Sequence, residues 1–519
     1  MFQDLYGLVR YADSNYSGTA RSTSLCHAAS TSGGDLGAVG LNPAGAAAAA
    51  YSQFTLTPGL SISSCTSAYA PIAEENVTGR ERVSRSRFIL PNLGFVLNRS
   101  TGRKSGIVNY SFGLILNMPQ VYNECVSAGG INNNTSMMGE TAFFCSSHPG
   151  VSGIPRADLE YGDGYDPYRD SNHLFSDILA FQSGMISSYG CSDEYIGSNE
   201  VGFDDGSILL GGPIHQRYSR LRSGSRSDAV INLAFNLDNT FCFGGNLAVV
   251  RLVYGEELNR WEHAGDPDDF SLVKEGEGGK QFLFWNDGQD VFTLRTGGMG
   301  LYLMLGCIWM PVNGLRLGAS VKTPTWFRIS ERRQWKSICN YVGTSSRMSE
   351  TPEYWIDYRL VSPFNLTFGM ACSLPDRSVL SFDWERRDFR SMRLFDANDN
   401  LDEDSLCASN EYLRQNAGIT HVARAGWEYQ LAAAFSLRAG YSLMHYMTKE
   451  SGTRNQTHSA AVGFGYSSPG SFFVDAAVRY TKCPDNWFYP YDDYLDVRSP
   501  EVCISNNLMD VILTLGWRF

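Results

Sequence analysis

From Asn507 to Phe519 the chain alternates. Asn507, Met509, Val511, Leu513, Leu515, Trp517 and Phe519 fall on one side of an extended strand, and Leu508, Asp510, Ile512, Thr514, Gly516 and Arg518 on the other. The pattern recurs upstream. Leu317, Ala319, Val321, Thr323, Thr325 and Phe327 oppose Arg316, Gly318, Ser320, Lys322 and Arg328, and Leu380, Phe382 and Trp384 oppose Ser381, Asp383, Glu385 and Arg387. Phe435, Leu437, Ala439, Tyr441 and Leu443 oppose Ser436, Arg438, Gly440 and Ser442. One greasy row and one wetter row suit a half-buried strand of a soluble sheet. They equally suit a strand with lipid outside and a polar lumen inside, aromatics marking the membrane boundary.

Alternation and turn residues together predict strands near 52–66, 86–98, 107–122, 227–239, 242–257, 290–311, 315–331, 353–374, 378–395, 413–430, 435–447, 457–467, 472–482 and 505–519. The connections separate the two readings. Pro311–Gly314, Pro375–Arg377, Ala432–Ala434 and Pro469–Ser471 are short, as is the less sharply bounded turn at Asn239 and Thr240, whereas 126–225, 258–280, 396–412 and 483–504 are long and polar. Short turns at one end and long loops at the other are the habit of outer-membrane barrels, and a soluble sandwich has no reason to alternate so. The reading is all-β: a 14-stranded antiparallel transmembrane β-barrel over 51–519, with 126–225 as a long extracellular loop in which 172–188 is expected to form a short helix over the mouth.

Bulk properties agree. A soluble chain of 519 residues would need several domains and linkers, and no linker is visible. No apolar run is long enough for a spanning helix, and a mean hydropathy of -0.22 fits strands that face lipid at every second position. The net charge of -12 argues against a nucleic-acid partner. Acidic groups cluster at Asp158, Glu160, Asp163, Asp166 and Asp170, and again at Glu256, Glu257, Glu262, Asp266, Asp268 and Asp269. A solvated face explains them, and calcium is the alternative, without the ordered spacing of a calcium loop.

Twelve cysteines without a C-x-x-C pair speak against a zinc ribbon or redox motif and for an oxidising compartment, with Cys483–Cys503 the expected disulfide and Cys125–Cys145 a second candidate. No metalloprotease, phosphate-loop, dinucleotide or nucleophile-elbow motif occurs, and His27, His215 and His445 suit local hydrogen bonding better than ligation. Neither an enzyme, a metal nor a cofactor is expected. The start of the chain lacks a basic-then-apolar leader, so the numbering is expected to describe a mature or trimmed chain.

Ahead of the first strand stand Gly18-Thr19-Ala20-Arg21, Ser32-Gly33-Gly34-Asp35-Leu36-Gly37 and Asn42-Pro43-Ala44-Gly45. They resemble the N-terminal hatch of the long-chain fatty-acid transporter (FadL-type) family of outer-membrane proteins. Further likeness follows in Leu90–Val96, Phe112-Gly113, Leu317-Gly318, Thr323-Pro324-Thr325, Leu437–Tyr441 and the closing Leu515–Phe519, whose aromatic, base and terminal Phe look like a barrel-assembly signal. The resemblance implies a fourteen-stranded barrel in the outer membrane of a diderm bacterium with a periplasmic N-terminus. Residues 1–50 would be a hatch gated around Gly33, Gly34, Asp35, Asn42, Pro43 and Ala44. It also implies passive passage of hydrophobic molecules, with membrane lipids and a hydrophobic ligand as partners. Glycines allow a compact irregular backbone and Pro43 fixes a turn; the alternative is a flexible Gly/Ala linker ending in Ala46–Ala50.

Asp383, Glu385, Arg387 and Asp510 are the expected lumen-lining charges. Pro119 removes a ladder donor from the third strand, which predicts a bulge, kink or gap, and the resemblance makes that gap a lateral exit; otherwise Pro119 lies above the membrane. Leu25-Cys26-His27, where relatives tend to carry small residues and methionine, and the long acidic loops depart from the family. The loops leave room for a second class of function, a barrel subunit docking other outer-membrane or surface proteins of a secretion or assembly complex.

Overall fold

The computed structural model describes residues 5–13, 16–49, 51–71, 77–191, 193–203, 207–276, 279–398, 402–447 and 455–519. Fourteen antiparallel strands form one closed barrel: β1 (Gln53–Ala70), β2 (Gly79–Ser100), β3 (Ile107–Asn132), β4 (Ile214–Leu237), β5 (Phe241–Ala264), β6 (Gly279–Val312), β7 (Leu315–Lys322 and Trp326–Tyr341), β8 (Tyr354–Val361 and Asn365–Ser373), β9 (Ser378–Asp388, resuming at Arg393–Asp396), β10 (Ile419–Ala432), β11 (Phe435–Met447), β12 (Asn455–Ser467), β13 (Phe472–Lys482) and β14 (Glu501–Arg518). β14 pairs with β1 from Gln53–Arg518 to Ala70–Glu501, which closes the sheet on itself.

The closing strand keeps its expected phase. Met509, Val511, Leu513 and Trp517 are exposed on the outer wall, and Asp510, Ile512 and Thr514 are buried. Exposed apolar side chains such as Leu114, Leu233, Leu303, Phe368 and Val462 continue the belt around the barrel. Near the short turns Phe241 stacks on Trp309 and Phe472 packs on Trp517, forming an interfacial aromatic girdle. Among the described residues no helix is long and apolar enough to cross a membrane.

Several strand edges differ from the sequence reading. β3 and β4 run on to Asn132 and Ile214, which shortens the long loop to 133–213, and β5 continues through Glu262 to Ala264. Glu256 and Glu262 are therefore strand residues: Glu256 pairs with Arg222, and Glu262 is buried. Residues 403–416 form a helix capped by Asp402, not the start of β10. The helix expected over 172–188 occupies Phe175–Ser183.

The phase reading of β7 fails above Pro324. Between Lys322 and Trp326 β7 spends one residue more than β6 does between its partners Met304 and Leu301, so facing reverses. Thr325, Phe327 and Ile329 point inward, whereas Trp326 and Arg328 point outward, the opposite of the simple alternation. Pro324 has no amide hydrogen to keep the ladder in step. β8 breaks at Ser362-Pro363-Phe364 on the same level, and Thr325 and Ser362 join the two gaps through Thr325 N–H to Ser362 Oγ (2.9 Å) and Ser362 N–H to Thr325 O (3.1 Å).

The expected disulfides are absent, and all twelve cysteines are free thiols. Cys483 lies opposite Asn506, whereas Cys503 pairs with Ala68 and Trp487, three residues along the ladder. Cys125 faces Leu221 on the wall while Cys145 ends a helix in the loops above.

Those loops form a cap with its own apolar core, in which Met137, Met138, Tyr168 and Ile178 meet Trp285 and Tyr494. Glu262 fastens it to the barrel by accepting from Met137 N (2.8 Å), Gln216 Nε2 (2.6 Å) and Asn199 Nδ2 (3.0 Å). Within the cap Glu200 accepts from Gly197 N (2.7 Å), and burial pushes its carboxyl up to about 7. An acid whose folded pKa is raised is favoured in its protonated form. The contribution of Glu200 to the cap is fully present below about pH 4.5 and is lost as pH rises toward 7. Hydrogen exchange of helix Met137–Cys145, corrected for intrinsic rates, should show opening at least about tenfold rarer at pH 5 than at pH 7.5, and Glu200→Gln should weaken that dependence.

Candidate functional site: a lumen chamber beside a parting in the wall

The segment 16–49 is irregular apart from the short helix Ala20–Ser24 and two single turns, and it is buried nearly throughout. Such backbone needs partners. Some are internal: Thr19 Oγ1 donates to Asp35 Oδ1 (2.5 Å), which also accepts from Gly37 N (3.2 Å), and Asn42 Oδ1 caps Ala44 N (3.1 Å). The rest come from inward side chains of the strands. Asn232 Nδ2 donates to Pro43 O (3.1 Å), Asn246 Nδ2 to Val39 O (2.9 Å) and Ser320 Oγ to Leu41 O (2.7 Å), and Thr514 Oγ1 accepts from Ala20 N (2.7 Å). Asn42 Nδ2 reaches Cys307 O (3.0 Å) on β6. A side chain at Gly306 would run into Asn42 and Pro43, and one at Gly244 into Pro43 and Ala44, so the Asn-Pro-Ala turn sits directly on glycine faces of the wall. Gly33 and Gly34 lie against Ala48 and Tyr51, and Gly34 takes a left-handed φ of 73°.

The four charges singled out in the sequence all point inward, and each is bonded. Asp383 holds the segment: Oδ2 accepts from Ala29 N (2.9 Å) and Ser30 N (2.8 Å), and Oδ1 from Ser30 Oγ (2.6 Å). Glu385 accepts from Arg387 Nε (2.7 Å) and Arg424 Nη2 (2.5 Å), while Arg387 also pairs with Asp13. Asp510 pairs with Arg479 (2.8 Å), whose Nη1 donates to Tyr16 O (3.0 Å) and meets His27 Nε2 (2.9 Å). Arg424 and Arg479, which complete these pairs, were missed in the sequence. Their inward position in alternating strands was the available signal.

Above the segment lies a chamber of about 100 Å³, floored by Tyr16, Ser17, Cys26 and His27. Arg387, Arg424, Arg479 and Asp510 line one side, and Ile89, Pro119, Val121, Met444 and Leu508 give it apolar surface. Arg424 is 4 % exposed and its Nη1 has no hydrogen-bond partner. A cavity of about 150 Å³ holds one benzene-sized molecule, so this chamber is too small for a longer ligand until its floor or wall shifts.

At Pro119 the wall itself changes. β2 and β3 share a ladder only from Ser100–Asn109 to Asn92–Asn117. Beyond that point β2 stays paired to β1 as far as Gly79, and β3 to β4 as far as Asn132, but not to each other. The β3–β4 register slips between Asn117 and Gln120, and the β1–β2 register slips past Thr57 where Pro58 and Pro91 stand, so three neighbouring strands carry a proline at one level. Outward-facing Leu60, Phe88 and Leu116 put this level within the apolar band. Side chains bridge the parting. Arg85 donates to Arg222 O (3.1 Å), Arg87 to Tyr122 O (3.1 Å) and Gly224 O, and Asn123 Nδ2 to Ser61 O (3.1 Å) and Arg85 O (3.3 Å).

A closed barrel with an apolar outer belt, a polar bonded lumen and its own N-terminal segment inside defines a transmembrane β-barrel of the outer-membrane type. It shares this fold with a Pseudomonas aeruginosa FadL homologue (TM-score 0.54, 11% identity, covering 97% of this chain and 99% of that one). It also shares it with the P. putida toluene transporter TodX (TM-score 0.50, 12% identity, 98% and 99%). No protein-family model matches the sequence, and no curated protein matches it at a significant level.

Asp383→Ala would strip three hydrogen bonds from Ala29 and Ser30, at roughly 1–3 kcal/mol for each donor left buried without a partner. The barrel should still show heat-modifiable migration on gels while residues 16–49 become sensitive to added protease. An equally protected segment in the variant would show that Asp383 does not hold it.

Proposed function

We propose that the protein carries small hydrophobic molecules passively across the outer membrane, as a transporter and not an enzyme. The molecule would occupy the chamber above segment 16–49 and leave sideways at the β2–β3 parting. One observation carries this reading: Pro119 lines the chamber on its inner side and stands where the β2–β3 ladder ends. Leaving at this level spares an apolar cargo both the polar lower lumen and the aqueous periplasm. The likeness in fold to TodX, described as a toluene transporter, supports the same cargo chemistry. The unpartnered Arg424 Nη1 favours cargo with an acceptor oxygen at one end.

In this reading residues 1–50 act as the hatch. Asp35 and Asn42 hold its shape, Gly33, Gly34, Pro43 and Ala44 let it seat against its surroundings, and a shift of Tyr16–His27 enlarges the chamber when cargo arrives. Membrane lipid receives the product.

Proteoliposome uptake of a fatty acid and a monoaromatic hydrocarbon tests the route. Pro119→Ala, which restores a ladder donor, should cut uptake several-fold; unchanged uptake of every probe would reject the exit at this position. Deleting residues 1–45 should raise conductance in planar bilayers, and a correctly folded deletion variant conducting like the wild type would reject the hatch.

A further inference from the structure

Above Asn92–Asn117 nothing in the backbone ties the β1–β2 hairpin to β3. The two still lie face to face, and their contacts can be followed residue by residue. Asn123 Nδ2 reaches Ser61 O at 3.1 Å, and four residues higher Ser127 O accepts from Ser67 Oγ at 2.5 Å. Ser127 Oγ in turn donates to Glu81 Oε2 of β2 at 2.5 Å. β1 and β3 run in the same direction through these contacts. Between them, at corresponding heights, stand Cys65 on β1 and Cys125 on β3.

Their orientation also matches. Cys65 belongs to the inward row of β1 with Ser63 and Ser67, the row whose Ser67 Oγ reaches Ser127 O of β3. Cys125 shares its face of β3 with Asn123 and Ser127, whose side chains both reach the hairpin. Cys65 is buried, whereas Cys125 is half exposed and open to a reagent.

We propose that Cys65 and Cys125 are a reversible disulfide pair that staples β1 to β3 and closes the parting in the wall. A disulfide requires Cα atoms within about 7 Å, and the Ser67 Oγ–Ser127 O bond two residues above holds the two strands side by side. The oxidant is a small disulfide such as glutathione disulfide. The Cys125 thiolate attacks one of its sulfurs, forming a mixed disulfide and expelling the first thiolate. Cys65 Sγ, giving up its proton to base as it attacks, then bonds to the Cys125 sulfur and expels the second thiolate. Two protein thiols are oxidised, their two protons pass through solvent to the two expelled thiolates, and the oxidant's disulfide is thereby reduced to two thiols. A dithiol reverses the sequence.

The pairing stands on geometry alone; its effect on transport rests on the lateral route proposed above. Purified protein in liposomes is treated with glutathione disulfide, blocked with N-ethylmaleimide and mapped without reduction. The expected product is a linked peptide pair joining Cys65 to Cys125, lost in both C65S and C125S while their barrels keep heat-modifiable migration. Recovery of both residues alkylated, or of Cys125 linked to another cysteine, overturns the pairing. Uptake of a hydrophobic probe should fall several-fold on oxidation, recover with dithiothreitol and stay constant in C65S. A linked pair with unchanged uptake overturns the closing role. Pro119→Ala, measured under reducing conditions, reports separately whether cargo leaves through this wall at all.

Discussion

Inside a bilayer every backbone amide has to find its partner within the protein, and this structure meets that demand in two different ways. In the wall the ladders between fourteen strands do it, with β14 closed onto β1 and side chains bridging the β2–β3 parting. In the lumen no ladder is available to the irregular segment 16–49. Inward side chains take over: Asp383, Asn232, Asn246, Ser320 and Thr514 each bond main-chain atoms of the segment. The polar inner rows of the strands are therefore structural before they are anything else.

That accounts for the charges as well. A lumen carrying Arg387, Arg424, Arg438 and Arg479 beside Glu385, Glu428, Asp475 and Asp510 would be costly if any were left bare. Almost all are paired, Arg21 reaching from the segment to Glu428 (2.9 Å) and Arg438 to Asp475 (2.5 Å). Among the buried donors left unfilled, Arg424 Nη1 belongs to an arginine that lines the chamber.

The fourteen strands were legible because a lipid-facing wall imposes strict alternation and because short turns and long loops announce which end is which. Reading failed where alternation stops being strict. Pro324 and Pro363 reverse the facing of β7 and β8, so Phe327 appeared lipid-facing and is buried. The helix Glu403–Asn416 was read mostly as the loop 396–412, with only its end in the strand 413–430, because its apolar residues are few. Asp383, Glu385, Arg387 and Asp510 could be placed on the inner wall by parity alone, but their partners lie far away in sequence, and parity says nothing about those. The disulfides failed for a related reason: spacing along the chain put Cys483 near Cys503, while register put Asn506 opposite Cys483. The parting at Pro119 was hinted at by one proline, but its extent depends on which strands pair above it, and that is a property of the whole sheet.

The way segment 16–49 is seated constrains the order in which the molecule is made. It touches strands around the circumference: β4 and β5 through Asn232 and Asn246, β6 and β7 through Asn42 and Ser320, β9 through Asp383, β13 through Arg479 and β14 through Thr514. A finished barrel offers no way to thread such a segment past its paired arginines and acids without breaking many contacts at once. Docking while the wall closes avoids this, because an open sheet can curl around the segment. The pairing of β14 with β1 then does more than complete the cylinder: it seals a lumen whose occupant has to be in place already.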